Sequence, residues 1–77
     1  MAKEMSQAHL VRMRFIDFML QYHGQINRFH IEDYFGLSRP QATLDLRMYN
    51  EAAPGNMTYV PSKKSYFAGE YFVRKFL

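Results

Sequence analysis

Apolar residues recur at helical spacing through the first third of the chain. Val11, Phe15, Phe18, Met19 and Tyr22 fall on one side of a helix over residues 9–22, with Leu10, Met13, Ile16 and Leu20 widening the stripe. Arg12, Arg14 and Asp17 fall on its polar side. Two readings account for so many large apolar side chains: a helix wrapped on several sides by later elements, or one whose second apolar edge pairs with another subunit. His23 and Gly24 end this helix. Residues 28–35 form the next, with Ile31, Tyr34 and Phe35 inward and Glu32 and Asp33 outward. Asn27 suits its N-cap, because the side-chain oxygen accepts a free N–H of the opening turn. Ile26 and Ile31 have the spacing of a hydrophobic staple. Gly36 supplies the left-handed residue that ends the helix, with Leu37 folding back over it. A third helix over residues 39–52 places Ala42, Leu46 and Tyr49, with Ala53 below, on one core stripe. Ser38 and Gln41 have capping-box spacing, and Pro40 lies in the first turn, where a missing N–H costs nothing.

The punctuation then changes. Ala52-Ala53-Pro54-Gly55-Asn56 breaks the helix. Residues 57–60 and 65–68 are of strand type, joined by Pro61-Ser62-Lys63-Lys64 as a hairpin tip. Two helices separated by a tight turn form a helix-turn-helix, and a hairpin directly after the second is a wing. The expected fold is mainly α with a small β-hairpin wing, a winged helix-turn-helix over residues 9–77. The wing covers about 57–68 and a C-terminal segment 69–77, after a flexible polar lead-in over residues 1–8. Tyr71, Phe72 and Phe76 are expected to line one side of a short helix packed on the first helix or on a partner.

Seventy-seven residues make one small domain, which buries only about 60–65% of its unfolded surface. No cysteine is present, so neither disulfides nor thiolate metal sites contribute. Ten Lys and Arg against seven Asp and Glu give a net charge of +3, which permits a polyanionic partner. No stretch has the length and apolarity of a signal peptide or a membrane span. His9, His23 and His30 have no carboxylate or cysteine at ligand spacing, and the four glycines are scattered at chain breaks. No nucleophile triad or phosphate loop is apparent. Neither an enzyme nor a metal or cofactor site is expected.

The chemistry sits on the free arc of the third helix. Pro40, Thr43, Leu44, Arg47 and Glu51 lie opposite its core stripe, flanked by Arg39 and Gln41 at the start. A guanidinium, an amide and a hydroxyl suit base edges and phosphates in a major groove. Arg28 lies where a DNA backbone passes in this motif. Lys63 and Lys64 at the wing tip suit phosphates, or else guard an exposed tip against aggregation. The candidate DNA contacts are thus Arg28, Ser38, Arg39, Pro40, Gln41, Thr43, Leu44, Arg47, Lys63 and Lys64. Asp45 falls near the core edge, where it buttresses an arginine of the first helix or accepts from a cytosine amino group.

The run from Arg14 to Tyr66 resembles the amino-terminal winged helix-turn-helix of WYL-type bacterial transcriptional regulators, in particular the repressors found beside phage-defence systems. The matching pieces are Ile26-Asn27-Arg28, Phe35-Gly36-Leu37-Ser38, Pro40-Gln41-Ala42, Asp45-Leu46, Tyr49, Ala53-Pro54, Asn56, Tyr59, Lys64 and Tyr66. A looser similarity to DeoR-type repressors rests on Gly24, Phe35, Ser38 and Asp45-Leu46. The family's larger effector-sensing domains would begin where this chain stops, so either an isolated domain or a small relative working alone is expected. The resemblance implies a cytoplasmic, nucleoid-associated regulator, a repressor before an activator, binding an inverted repeat in duplex DNA as a homodimer. Two rivals remain: a winged-helix protein-interaction module, in which Leu44 and Met48 make an apolar contact, and an accessory or antitoxin-like subunit that works through its aromatic tail.

Overall fold

A computed structural model describes residues 5–76, and residues 1–4 and 77 lie outside it. Helix α1 spans Gln7–Phe18 and passes into a π-helical turn at Met19–His23. Strand β1 is Gln25–Ile26, helix α2 Arg28–Phe35, helix α3 Arg39–Ala52, strand β2 Met57–Val60 and strand β3 Ser65–Ala68. The helices enclose the core, and the three antiparallel strands, in the order β1-β3-β2, close one side. The bounds of α2, α3, β2 and β3 match the expected ones. Helix α1 begins earlier than expected, because Ser6 is its N-cap and accepts from the His9 N–H at 3.2 Å.

The turn between α2 and α3 forms as its residues dictate. Asn27 accepts from the His30 N–H at 3.2 Å, and His30 Nδ1 accepts from the Asn27 N–H at 3.1 Å. This reciprocal cap satisfies two of the free donors at the helix start. Gly36 is left-handed at φ 66°, and the Leu37 N–H reaches back to Glu32 O at 3.2 Å. The Ser38 oxygen accepts from the Gln41 N–H at 3.4 Å. The box is not reciprocal there, because the Gln41 side chain goes to Asp45 instead.

The inner face of α1 is centred on residues expected only to widen its stripe, while Phe15 and Met19 of that stripe pack at the edge of the core. Met13, Ile16 and Leu20 are buried, whereas Val11, Phe18 and Tyr22 are exposed. Arg12 and Asp17, expected on the polar side, flank the buried arc and are themselves buried. Both are tolerated there because both are partnered. Arg12 Nε lies 2.6 Å from Asp45 Oδ2, and Asp17 accepts from the Tyr49 hydroxyl and from the backbone N–H groups of Lys75 and Phe76. Phe15 is half-buried, stacked on Tyr34 at 4.7 Å and edge-on to Phe35 at 5.2 Å. Tyr34, expected inward, is instead 70% exposed. Each fully buried core side chain such as Ile16 or Ile31 contributes roughly 1.5–3 kcal/mol, so the choice of face decides the stability of the domain.

Strand β1 was not expected. Gln25 and Ile26 pair with Phe67 and Tyr66 of β3, which ties the wing to the α1–α2 connection. Among its described residues the tail forms no helix. After a turn at residues 70–71 it runs as an irregular strap. Asn56 pairs with Val73 as a backbone would, donating to Val73 O at 2.7 Å and accepting from the Val73 N–H at 3.2 Å. Asp17 holds the N–H groups of Lys75 and Phe76, and the Phe76 ring lies 5.8 Å from that of Tyr49.

Candidate nucleic-acid interface

Helix α3 has one buried face and one free face. Ala42, Leu46 and Tyr49 are buried, as the stripe requires, and Ala53 follows. Arg39, Pro40, Thr43, Leu44, Arg47 and Glu51 are exposed, and Ser38 is exposed at the cap. The helix is latched from beneath. Asp45 is fully buried and receives Arg12 Nε at 2.6 Å, Arg12 Nη2 at 3.3 Å and Gln41 Nε2 at 3.0 Å. The expected buttress between Asp45 and an arginine of the first helix is therefore present. Such a forked, charge-assisted pair fixes rotation as well as distance.

The bond between Gln41 and Asp45 is an i, i+4 contact on one helix, a signal the sequence offered and the reading of Gln41 as a wholly outward group missed. A carboxylate only accepts, so the Gln41 amide must turn its nitrogen toward Asp45. One N–H and the carbonyl oxygen of Gln41 remain uncommitted.

Arg28 is half-buried. Its guanidinium carbon lies 4.5 Å over the Phe29 ring, and Nε lies 3.5 Å from Glu32 Oε2 without a hydrogen bond. The wing tip turns through Pro61–Lys63 in 3-10 geometry, and Lys64 follows at φ 51°. Lys63 and Lys64 are both exposed, but Lys64 alone of the two borders a cleft of about 180 Å³ between α2, α3 and the wing. Arg28 and Thr43 line the same cleft. The structure thus brings together candidates from three separate stretches of sequence, and it leaves Ser38, Arg39, Pro40, Gln41, Leu44, Arg47 and Lys63 outside that cleft.

Burial and the hydrogen bond to Asp17 push the Tyr49 hydroxyl far above its ordinary pKa, so it stays a donor at the base of α3. His30 is shifted below its ordinary value, first by burial and then by His23, against an opposing effect of Asp33. Among the described residues no group of His, Asp and Glu is placed to hold a metal, and no helix is long and apolar enough to cross a membrane.

A capped two-helix turn, a second helix with one free polar face, and a hairpin following it define a winged helix-turn-helix domain. Residues 8–77 match the family described as the BrxR transcriptional regulator winged helix-turn-helix domain, and the chain belongs to that family. It is similar to the DNA-binding transcriptional repressor CapW of Escherichia coli strain KTE188, 46% identical over 61 residues. The CapW proteins of Pseudomonas aeruginosa and Stenotrophomonas maltophilia are 44% and 41% identical over the same length. Each match covers 79% of this chain and 20% of the relative. The expected kinship with WYL-type repressors of phage-defence systems is borne out in these matches.

Proposed function

We propose that the chain is the DNA-reading domain of a transcriptional repressor, with α3 in the major groove and the wing on the adjacent backbone, and that it has no enzymatic role. One observation carries the reading: the polar face of α3 is exposed while its opposite face is locked to α1 through Asp45 and Arg12. A rigid helix with Arg39, Thr43 and Arg47 outward is what base readout requires. Arg47 reads a base edge. Gln41 presents its remaining N–H and its oxygen, the pair that matches an adenine edge, from a plane set by Asp45. Ser38, Pro40 and Leu44 pack along the groove wall, and Arg28, Lys63 and Lys64 hold phosphates. The partner is an inverted repeat bound by a homodimer, in the cytoplasm at the nucleoid.

A second reading rests on an apolar groove between the start of α1 and α3, bordered by Met5, His9, Leu44 and Met48. There the free side of α3 would meet a protein.

Selection from a random duplex library at moderate salt tests the proposal, with an enriched inverted repeat as the expected product. On that site Arg47→Ala removes about 1–3 kcal/mol of discrimination, weakening preferred DNA more than random DNA. Lys63→Ala weakens both about equally and makes the log-affinity against log-salt slope shallower by about 0.9. Absence of binding to any duplex at low salt, together with capture of a protein partner that Leu44→Glu abolishes, would decide for the second reading.

A further inference from the structure

We infer that the cleft between α2, α3 and the wing is a single phosphate-binding site, in which Arg28, Thr43, Tyr59 and Lys64 converge on one backbone phosphate of the duplex. The inference rests on the DNA-binding reading above, moves Thr43 from base readout to that phosphate, and adds Tyr59, which that reading leaves unused. The cleft, of about 180 Å³, is smaller than the roughly 300–1,000 Å³ of small-molecule pockets. Two cationic side chains, Arg28 and Lys64, and three hydroxyl-bearing residues, Thr43, Tyr59 and Tyr66, border it, and both kinds of group donate to phosphate oxygens.

The surrounding structure holds these groups in place. Asn27 caps α2 and donates to Ser65 Oγ at 3.2 Å, which fixes α2 against the wing. Tyr59 stands opposite Tyr66 in the wing ladder, with their rings 4.9 Å apart. Arg28 rests on Phe29, and its buried Nε has no hydrogen-bond partner. Lys64 is the one non-glycine residue at positive φ among the described residues. A lysine is an unfavourable choice for that conformation, where glycine or asparagine is the usual occupant, yet the turn there brings the side chain to the cleft. Lys63, one residue earlier, does not border it. The two lysines therefore have different phosphates.

Duplexes carrying one neutral methylphosphonate at each successive position of the selected site test this, with the full protein. Lys64→Gly keeps the turn and removes the charge, and thermal melting verifies that each variant is folded. On unmodified DNA, Arg28→Gln and Lys64→Gly are each expected to weaken binding about tenfold, as loss of a charge-assisted contact does. Tyr59→Phe is expected to weaken binding without changing the salt slope. At one phosphate per half-site, neutralisation should weaken the wild-type protein and reduce the further effect of all three substitutions to less than about twofold, while Lys63→Ala keeps its full effect. Loss of sensitivity at different phosphates for Arg28 and Lys64, or no effect of Tyr59→Phe, would overturn the inference while DNA binding stands. A wild-type protein that binds no duplex would remove both readings together.

Discussion

At the scale of single residues, the polar groups inside the domain matter most, because each is costly alone and useful when paired. Asp45 is fully buried and Arg12 nearly so, and breaking such a pair costs about 3–5 kcal/mol because one charge is left behind. Arg12→Met is therefore expected to unfold most of the population of so small a domain. Arg12→Met with Asp45→Leu should recover much of the loss, since an apolar pair of similar volume is often neutral or better. Urea unfolding of the single and double variants measures both; a single-variant loss below about 1 kcal/mol would show that the pair contributes no such constraint. His30 offers a second case. Its folded pKa is lowered by burial and by His23, so the unfolded chain takes up the proton first as pH falls. Its contribution is fully present above the unfolded value near 6.5 and is lost as pH drops through 6.5 to the lower folded value. Protonation at Nδ1 also removes the acceptor of the Asn27 N–H. The melting temperature should fall between pH 7.5 and 5.5, and His30→Gln, which keeps a capping side chain, should flatten that slope. An equal slope in both proteins would assign the effect elsewhere.

At the scale of elements, two glycines fix how neighbouring segments meet, for different reasons. Gly36 is left-handed at φ 66°, and a Cβ there meets nothing within 4 Å. A substitution at Gly36 thus costs backbone strain alone, about 1–2 kcal/mol for an ordinary L-residue. Gly36→Val should lower stability by at least that amount and Gly36→Asn by less. Gly69 ends β3, and its N–H donates to Asn56 O at 2.8 Å. A Cβ at Gly69 would overlap the carbonyl oxygen of Gly55, so the wing base would have to move off the end of α3. Gly69→Ala is expected to cost more than Gly36→Val in chemical denaturation. The reverse order would show that the junction between the wing and α3 yields easily.

At the scale of the whole molecule, the unexpected orientation of α1 leaves an apolar face in solvent. Val11, Phe18, Tyr22 and Tyr34 are exposed, and Phe18 and Tyr22 lie 5.1 Å apart. A symmetric dimer buries one such patch twice, which is why the homodimer is proposed through α1. Sedimentation at micromolar concentration should give a dimer, and Phe18→Lys, at an exposed position, should give a folded monomer. Monomer in both, with and without DNA, would remove α1 as the interface. The C-terminal strap is instead held to the domain by its backbone, through Asp17 and Asn56, so α3, through Tyr49, shares its partners with the tail.

The sequence by itself determined every element whose ends are set by local chemistry. Asn27, Gly36, Ser38 and the break at residues 53–56 act within a few residues of themselves, so α2, the turn, α3 and both wing strands were legible, as was the free face of α3. Helix α1 was legible as a helix, but its inward face was not, because its two arcs are both apolar enough to be buried. The choice between them depends on groups far along the chain: Asp45 receives Arg12, and Tyr49 with the strap receives Asp17. Periodicity counts those two as polar and turns the helix the wrong way, whereas burial with a partner makes them interior residues. The same reason hid β1 and the strap. A two-residue strand has no signal until β3 lies beside it, and a backbone held by distant carboxylate and amide side chains has no pattern of its own. The phosphate cleft belongs to this second group, since residues 28, 43, 59 and 64 meet only when the wing folds back over the paired helices.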